Sequence, residues 1–172
     1  MNIEIFPLEK IVIDGVSIYL GMDQSAVERA IGKGQYEPVR NRYYYYGTEM
    51  AIDYSENNTV EFIEFLGGID GSVHPVIYGV SAFDTPADEL ADLLRQKNGG
   101  EIDDSEKGYS FAFLNISVGI YRERLLSDVM EMIEEMKADG IPTEDNEDVA
   151  EEMRKANHWA SIGVGVAGYY QR

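Results

Sequence analysis

Two stretches of this chain decide its fold: 16-VSIYLGMDQSAVERAIG-32 and 76-VIYGVSAFDTPADELADLLRQKNGG-100. The first begins with strand-like residues that follow a predicted turn at Asp14-Gly15, and the second begins with a predicted strand over Val76–Val80. Each continues with a residue that can cap a helix, Asp23 or Ser25 in the first stretch and Thr85 in the second. Each helix then ends at glycine, which readily adopts the left-handed conformation common after a helix. Both stretches therefore predict a strand followed by a capped helix.

Further strands are predicted after each of these helices. After the first, Arg42–Tyr46 and Met50–Tyr54 lead through a polar turn to Val60–Leu66. After the second, Tyr109–Leu114 and Ile116–Tyr121 read as strands. The order of a strand, a helix and further strands therefore occurs twice, which predicts a duplicated β-α-β-β-β module. A plain α+β meander without duplication explains the same order and stays open.

The C-terminal segment departs from this repeat. The apolar stripe of Glu123–Ala138 predicts one helix, and Thr143 or Asn146 can cap a second helix that reaches Ala156. Ala160–Tyr170 then alternates like a strand. We therefore predict an α+β fold with mainly antiparallel sheet, as one compact unit of three parts: a first repeat over 1–70, a second repeat over 71–122, and a C-terminal helical pair with a closing strand over 123–172.

Charge is the most extreme global property of the chain. The formal net charge is −18 over 172 residues, which repels phosphate backbones and anionic lipids and attracts basic partners. We therefore expect no binding to nucleic acid or to a membrane. The N-terminus lacks the features of a secretory signal, and the chain has no cysteine. No apolar run approaches the roughly 20 residues that cross a bilayer, so we expect a cytoplasmic protein.

Few residues in the chain suggest catalysis. Histidine is the commonest general base and metal ligand, and the two histidines, His74 and His158, lie in separate segments. Gly163, Gly165 and Gly168 match GxGxxG, but only four residues follow them, so we interpret this match as a strand rather than a dinucleotide site. We expect no enzyme activity, no cofactor and no metal. Two alternatives stay open: a small hydrolase or metal-dependent enzyme that uses carboxylates, and a self-associating structural or regulatory protein.

Tyrosines and acidic residues favour protein recognition instead. Four consecutive tyrosines, Tyr43–Tyr46, predict two phenols on each face of a strand, and exposed tyrosines are good contact residues. From Glu131 to Glu152 there are ten acidic residues and one lysine, with no arginine. Cross-strand packing of the tyrosines and a solvated acidic surface are the alternatives. We expect contacts with a basic partner from Tyr44, Tyr46, Glu144, Asp145, Asp148 and Glu151.

The start of the first helix resembles the repeat of proteins of the β-lactamase inhibitor protein type. That pattern is roughly a strand, Leu-Gly-Met, a capping residue, a helix with valine and a terminal glycine; the matching residues are Leu20-Gly21-Met22, Asp23, Val27 and Gly32. The second stretch departs from the pattern at Ser81-Ala82-Phe83. The resemblance implies a binding protein that presents a sheet face and loops to another protein. Together with the acidity, it suggests a bacterial immunity or inhibitor protein that neutralises a basic toxin or enzyme.

Overall fold

Thirteen strands and four α-helices make up the structure, a computed structural model that describes residues 1–172. The α+β fold predicted from the sequence is confirmed, with mainly antiparallel sheets, a C-terminal helical pair and a final strand. None of the helices combines the length and the apolar character of a membrane span.

The helices are α1 (Gln24–Ile31), α2 (Ala87–Asn98), α3 (Leu126–Ala138) and α4 (Glu147–Ala156). The strands are β1 (Ile3–Phe6), β2 (Lys10–Ile13), β3 (Val16–Tyr19), β4 (Gln35–Glu37), β5 (Arg42–Tyr45), β6 (Met50–Tyr54), β7 (Val60–Phe65), β8 (Val76–Ile77), β9 (Val80–Ser81), β10 (Ile102–Asp103), β11 (Ser110–Phe113), β12 (Val118–Tyr121) and β13 (Ser161–Gly165).

Five strands form the smaller sheet, in the order β3-β2-β1-β8-β9. The predicted turn at Asp14 and Gly15 joins β2 to β3, and both residues have positive φ, as two-residue hairpin turns often require. Strand β8 pairs with β1 in parallel. The prediction of a single strand over Val76–Val80 is wrong. Tyr78 and Gly79 turn the chain at positive φ, which divides that segment into the hairpin of β8 and β9.

Eight strands form the larger sheet, in the order β10-β11-β12-β13-β7-β6-β5-β4, with antiparallel neighbours. Its halves meet at β7 and β13 and have the same order from centre to edge, β7-β6-β5-β4 and β13-β12-β11-β10. Helix α1 precedes the first half in the chain, and α2 precedes the second. A duplicated module would give this matching strand order if α3 and α4 were inserted between the last two strands of the second copy, β12 and β13. The duplication itself stays a prediction.

One apolar core joins the two sheets to the first two helices. It comprises 28 buried residues, including Ile5 and Ile11 of the smaller sheet, Val27 of α1, Leu90 of α2 and Ile52 of the larger sheet. Because side chains alternate along a strand, every second residue of the larger sheet points away from this core. We refer to that second face of the larger sheet as the open face.

Helices α3 and α4 pack against each other and contribute little to the core. Val129 is the one buried residue of α3, and Ala156 is the one buried residue of α4. The cap of α4 is Asn146 rather than Thr143, because its side-chain oxygen accepts two backbone N–H bonds in the first turn, at 3.0 and 3.2 Å. We refer to residues Leu126–Ala156 as the helical hairpin.

Candidate functional site

The four consecutive tyrosines are divided by the end of β5. Tyr43 and Tyr45 pack against the core, where Tyr45 is 7% exposed. Tyr44 is half-buried on the open face, and the Arg42 guanidinium lies 5.8 Å from the centre of its ring. Tyr46 lies outside the strand at positive φ and is 36% exposed. The prediction that the strand continues through Tyr46 is therefore wrong, and Tyr44 and Tyr46 do not share a strand face.

The four acidic residues predicted for partner contact all lie in the helical hairpin. Glu144 and Asp145 lie in the loop between its helices, and Asp148 lies in the first turn of α4. These three residues are exposed. Glu151 differs, because its carboxylate pairs with Arg154 at 2.9 Å. The structure therefore brings the acidic residues together and leaves the two predicted tyrosines elsewhere.

The helical hairpin has more acidic residues than its own basic residues can pair. Lys137, Arg154 and Lys155 are its only basic residues, and each pairs with a hairpin glutamate, at distances between 2.9 and 3.3 Å. Their charge is therefore already balanced locally. The exposed acidic residues that remain without an ion pair are Glu131, Glu135, Asp139, Glu144, Asp145, Glu147 and Asp148.

A cleft of about 370 Å³ opens beside the start of the helical hairpin. The Tyr109 hydroxyl donates to the Asp128 carboxylate at 2.7 Å, and Arg124 pairs with Glu152 at 2.6 Å. Hydrogen bonds lower the pKa of Asp128 below its usual value; the larger effect comes from the Leu125 N–H and the smaller from the Tyr109 hydroxyl. The bond from Arg124 likewise lowers the pKa of Glu152. Carboxylates dominate this acidic cleft, whose lining is Tyr109, Glu123, Arg124, Asp128, Val129, Glu131, Met132, Glu135 and Glu152.

A buried ion cluster lies at one side of the open face. The Arg42 guanidinium donates to both carboxylate oxygens of Asp53, at 2.5 and 2.9 Å, and to Glu64 at 2.9 Å. Burial disfavours the charged guanidinium, but Asp53 and Glu64 outweigh this effect and raise the pKa of Arg42. Such a cluster holds strands β5, β6 and β7 in register on this face.

The C-terminal turn, Tyr169–Gln171, folds back onto the open face. The ring of Tyr169 stacks on Phe62, with centroids 4.4 Å apart and planes 2° apart. Tyr170 meets the same Phe62 ring edge-on at 6.0 Å, and burial raises the pKa of the Tyr170 phenol. The Arg172 guanidinium lies 5.4 Å from the centre of the Tyr169 ring and pairs with Glu61. Aromatic packing therefore fixes the end of the chain on this sheet.

Glycines in β12 and β13 make room for these aromatic rings. A Cβ atom at Gly119 would lie 2.2 Å from the Tyr170 hydroxyl, and one at Gly163 would lie 2.2 Å from the Phe62 ring. A Cβ atom at Gly165 would lie 2.5 Å from the C-terminal turn. Gly163 and Gly165 of the GxGxxG match lie in a strand, as we interpreted from the sequence. Gly168 lies beyond this strand at positive φ, so the strand predicted over Ala160–Tyr170 ends at Gly165. The glycine spacing was the available signal for this packing, because glycine within a strand indicates a close approach.

A groove of about 310 Å³ remains open on this face beside the C-terminal turn. Small residues of the central strands form its floor, and aromatic residues form much of its wall. We refer to it as the sheet groove. Its lining is Arg40, Phe62, Glu64, Asp103, Ser105, Glu106, Ser110, Phe111, Ala112, Gly119, Ile120, Tyr121, Ser161, Gly163, Tyr169 and Tyr170.

Both histidines have hydrogen-bond partners in the structure. In His74, Nδ1 lies 2.8 Å from the Asp84 carboxylate and Nε2 lies 2.8 Å from the Gly71 carbonyl oxygen. An imidazolium donates to both acceptors, and the bond to Asp84 raises the pKa of His74. In His158, Nδ1 lies 2.8 Å from the Arg154 carbonyl oxygen, and this histidine lines a pocket that does not include His74. No group of three or more His, Cys, Asp or Glu side chains is arranged to bind a metal ion.

The similarity of Leu20–Gly32 to the repeat of the β-lactamase inhibitor protein type stays a prediction from the residues. The chain matches no protein-family model, no curated protein and no solved structure.

Proposed function

We propose that the protein is a non-enzymatic binding protein, an immunity or inhibitor protein of bacterial type that covers a basic toxin or enzyme. One observation carries this proposal: seven exposed acidic residues of the helical hairpin have no ion pair. Charge that is not balanced within the protein is available to a cationic surface and attracts it during encounter.

The acidity of the helical hairpin lowers its own stability. Glu131 and Glu135 lie one turn apart in α3, and neither has an ion pair. Like charges at this spacing destabilise a helix by about 0.2–0.5 kcal/mol per pair. Each helix buries a single residue, so the hairpin also adds little to the core. A surface of this kind is better explained by a charged partner than by the needs of the fold.

Aromatic residues of the open face supply contact area that charge alone does not. Tyr121 is 43% exposed, and Tyr44 and Tyr169 are half-buried. Aromatic anchors contribute much of the binding free energy in protein interfaces, whereas charges at the rim mainly increase the association rate. We infer that the acidic residues of the helical hairpin speed the encounter and that tyrosines of the open face form the lasting contacts.

A capture experiment with charge-matched variants tests this function. Immobilised wild type and two triple variants are exposed at low salt to a lysate of the native cell, and captured proteins are identified by mass spectrometry. Both variants lose three charges, and every substituted residue is exposed. The hairpin variant is Glu144→Gln, Asp145→Asn and Asp148→Asn; the control variant is Glu56→Gln, Glu89→Gln and Glu101→Gln.

We expect wild type and the control variant to capture a basic protein, and the hairpin variant to capture much less of it. The affinity for the purified partner should fall about tenfold or more between about 50 and about 200 mM salt, because salt screens the attraction. Equal capture by the hairpin variant, or an affinity that salt does not change, would contradict the proposal. A concentration-independent oligomer in light scattering would favour self-association instead.

A further inference from the structure

The sheet groove combines features that suit a cationic side chain. Its floor includes the small residues Ala112 and Ser161, and its wall includes the ring of Tyr121, which is 43% exposed, beside those of Tyr169 and Tyr170. Three carboxylates, those of Glu64, Asp103 and Glu106, line it with the guanidinium of Arg40. Glu64 is already paired with Arg42, so Asp103 and Glu106 are the carboxylates available to a ligand. A cation is attracted to the face of an aromatic ring and forms charge-assisted hydrogen bonds with carboxylates. The groove therefore offers both kinds of interaction in one place.

The open face already binds two guanidinium groups of the protein itself in this manner. Arg172 lies 5.4 Å from the centre of the Tyr169 ring and pairs with Glu61. Arg42 lies 5.8 Å from the centre of the Tyr44 ring and pairs with a buried aspartate. Both sites combine a tyrosine ring with a carboxylate, which is the combination that lines the sheet groove.

We propose that the sheet groove binds an arginine or lysine side chain of the partner protein, an inference that rests on the proposed function. Its volume of about 310 Å³ lies at the lower end of the range for ligand pockets, about 300–1,000 Å³, so the groove suits one long side chain rather than a folded segment. An anionic group would be repelled by the carboxylates of Asp103 and Glu106, which have no ion pair within the protein. Arginine fits better than lysine, because a planar guanidinium stacks on an aromatic ring and forms two parallel bonds with a carboxylate.

A peptide titration followed by NMR tests this site without the partner. The probe is the capped tripeptide acetyl-Gly-Arg-Gly-amide, and its control replaces arginine by citrulline, a neutral side chain of the same shape. The backbone amide signals of Gly119 and Gly163 report on the floor of the groove, and that of Gly140, at the end of α3 in the helical hairpin, reports on a remote position. We expect the arginine peptide to shift the two floor signals with a saturable dependence on concentration, and the citrulline peptide to shift them far less.

Two double variants locate the binding charge. Asp103→Asn with Glu106→Gln removes two charges from the groove. The Ser105 N–H donates to the Asp103 carboxylate at 2.9 Å, and the amide oxygen of the new asparagine can accept the same bond. Glu144→Gln with Asp145→Asn removes the same charge from the helical hairpin. We expect the groove variant to bind the arginine peptide about threefold or more weakly and the hairpin variant to bind it like wild type. The spectrum of each variant shows directly that it is folded.

Several outcomes would overturn the inference. One is that the amide signals of Gly119 and Gly163 do not move, and another is that the arginine and citrulline peptides shift them equally. A third is that both double variants bind the arginine peptide equally weakly. If the peptide fails while hairpin-dependent capture of a basic protein persists, the groove assignment is wrong and the proposed function stands. If the peptide binds in the groove while no basic protein is captured, the proposed function is wrong.

Discussion

Replacing Arg42 by methionine should strongly destabilise the protein. Arg42 is 5% exposed and Asp53 is 4% exposed, and the guanidinium donates to both oxygens of the Asp53 carboxylate. Without Arg42, this carboxylate stays buried without its counter-charge. Breaking a buried ion pair in this way costs about 3–5 kcal/mol. Because whole domains are stable by only about 5–15 kcal/mol, a loss of this size is easily measured.

A double variant tests whether the loss arises because Asp53 stays buried without its counter-charge, rather than because the Arg42–Asp53 pair itself is strongly stabilising. Arg42→Met with Asp53→Leu removes both buried charges and fills the space with apolar groups. Such replacements are often neutral for stability, so we expect the double variant to recover most of the loss. Glu64, the third member of the cluster, keeps contact with water, since 20% of its side chain is exposed.

Urea unfolding followed by the fluorescence of Trp159 measures these effects. Trp159 is the single tryptophan of the chain and is 1% exposed, so its emission reports on the core, and linear extrapolation gives the free energy of unfolding. Arg40→Met is the matched control, because Arg40 is exposed and its replacement should change stability by less than about 0.5 kcal/mol. A loss below about 1 kcal/mol for Arg42→Met, or a double variant no more stable than it, would refute the reasoning.

Three further predictions concern other parts of the molecule. Gly119→Ala should destabilise by about 1–3 kcal/mol in urea unfolding, because the new Cβ meets the Tyr170 hydroxyl; the same cost in a Tyr170→Ala background would disprove the clash. His74→Gln should flatten the dependence of Tm on pH. Because the pKa of His74 is raised in the folded protein, its contribution to stability is complete below the unfolded pKa of 6.5 and is lost as pH rises through the folded pKa. Equal pH profiles of wild type and variant would contradict this. At low salt, Glu131→Gln should stabilise by about 0.2–0.5 kcal/mol, whereas Glu134→Gln should not, since it loses an ion pair with a lysine; the opposite order of stabilities would contradict the proposed repulsion.

The candidate surfaces can be predicted from the sequence to different degrees. The ten acidic residues between Glu131 and Glu152 must lie mostly on solvent-exposed helix faces, however the two helices pack. The acidic surface of the helical hairpin can therefore be predicted from local sequence. The tyrosine run is a harder case. Alternation correctly separates Tyr44 from Tyr43 and Tyr45, but the strand ends before Tyr46 because the backbone there turns to positive φ. Alternation does not show where a strand ends.

The sheet groove depends on residues that no local pattern connects. Phe62, Gly119 and Gly163 come from three strands, and the tyrosines that cover part of them follow the last strand. The spacing of glycines indicates that something approaches the sheet closely. It does not indicate that the approaching groups are Phe62 and the side chains of the C-terminal turn, because that depends on strand order.

The sequence by itself determined the fold class, most of the strand and helix segments, and the acidity of the C-terminal helices, because periodicity, caps and charge density act over a few residues. Only the tertiary structure decided which strands are neighbours, which face of the larger sheet is open and where Arg42 meets Asp53 and Glu64. The pairing of β13 with β7 joins Ile162 to Phe65, residues far apart in the chain. Long-range pairing of this kind depends on how the whole core packs, and so it leaves no local signal in the sequence.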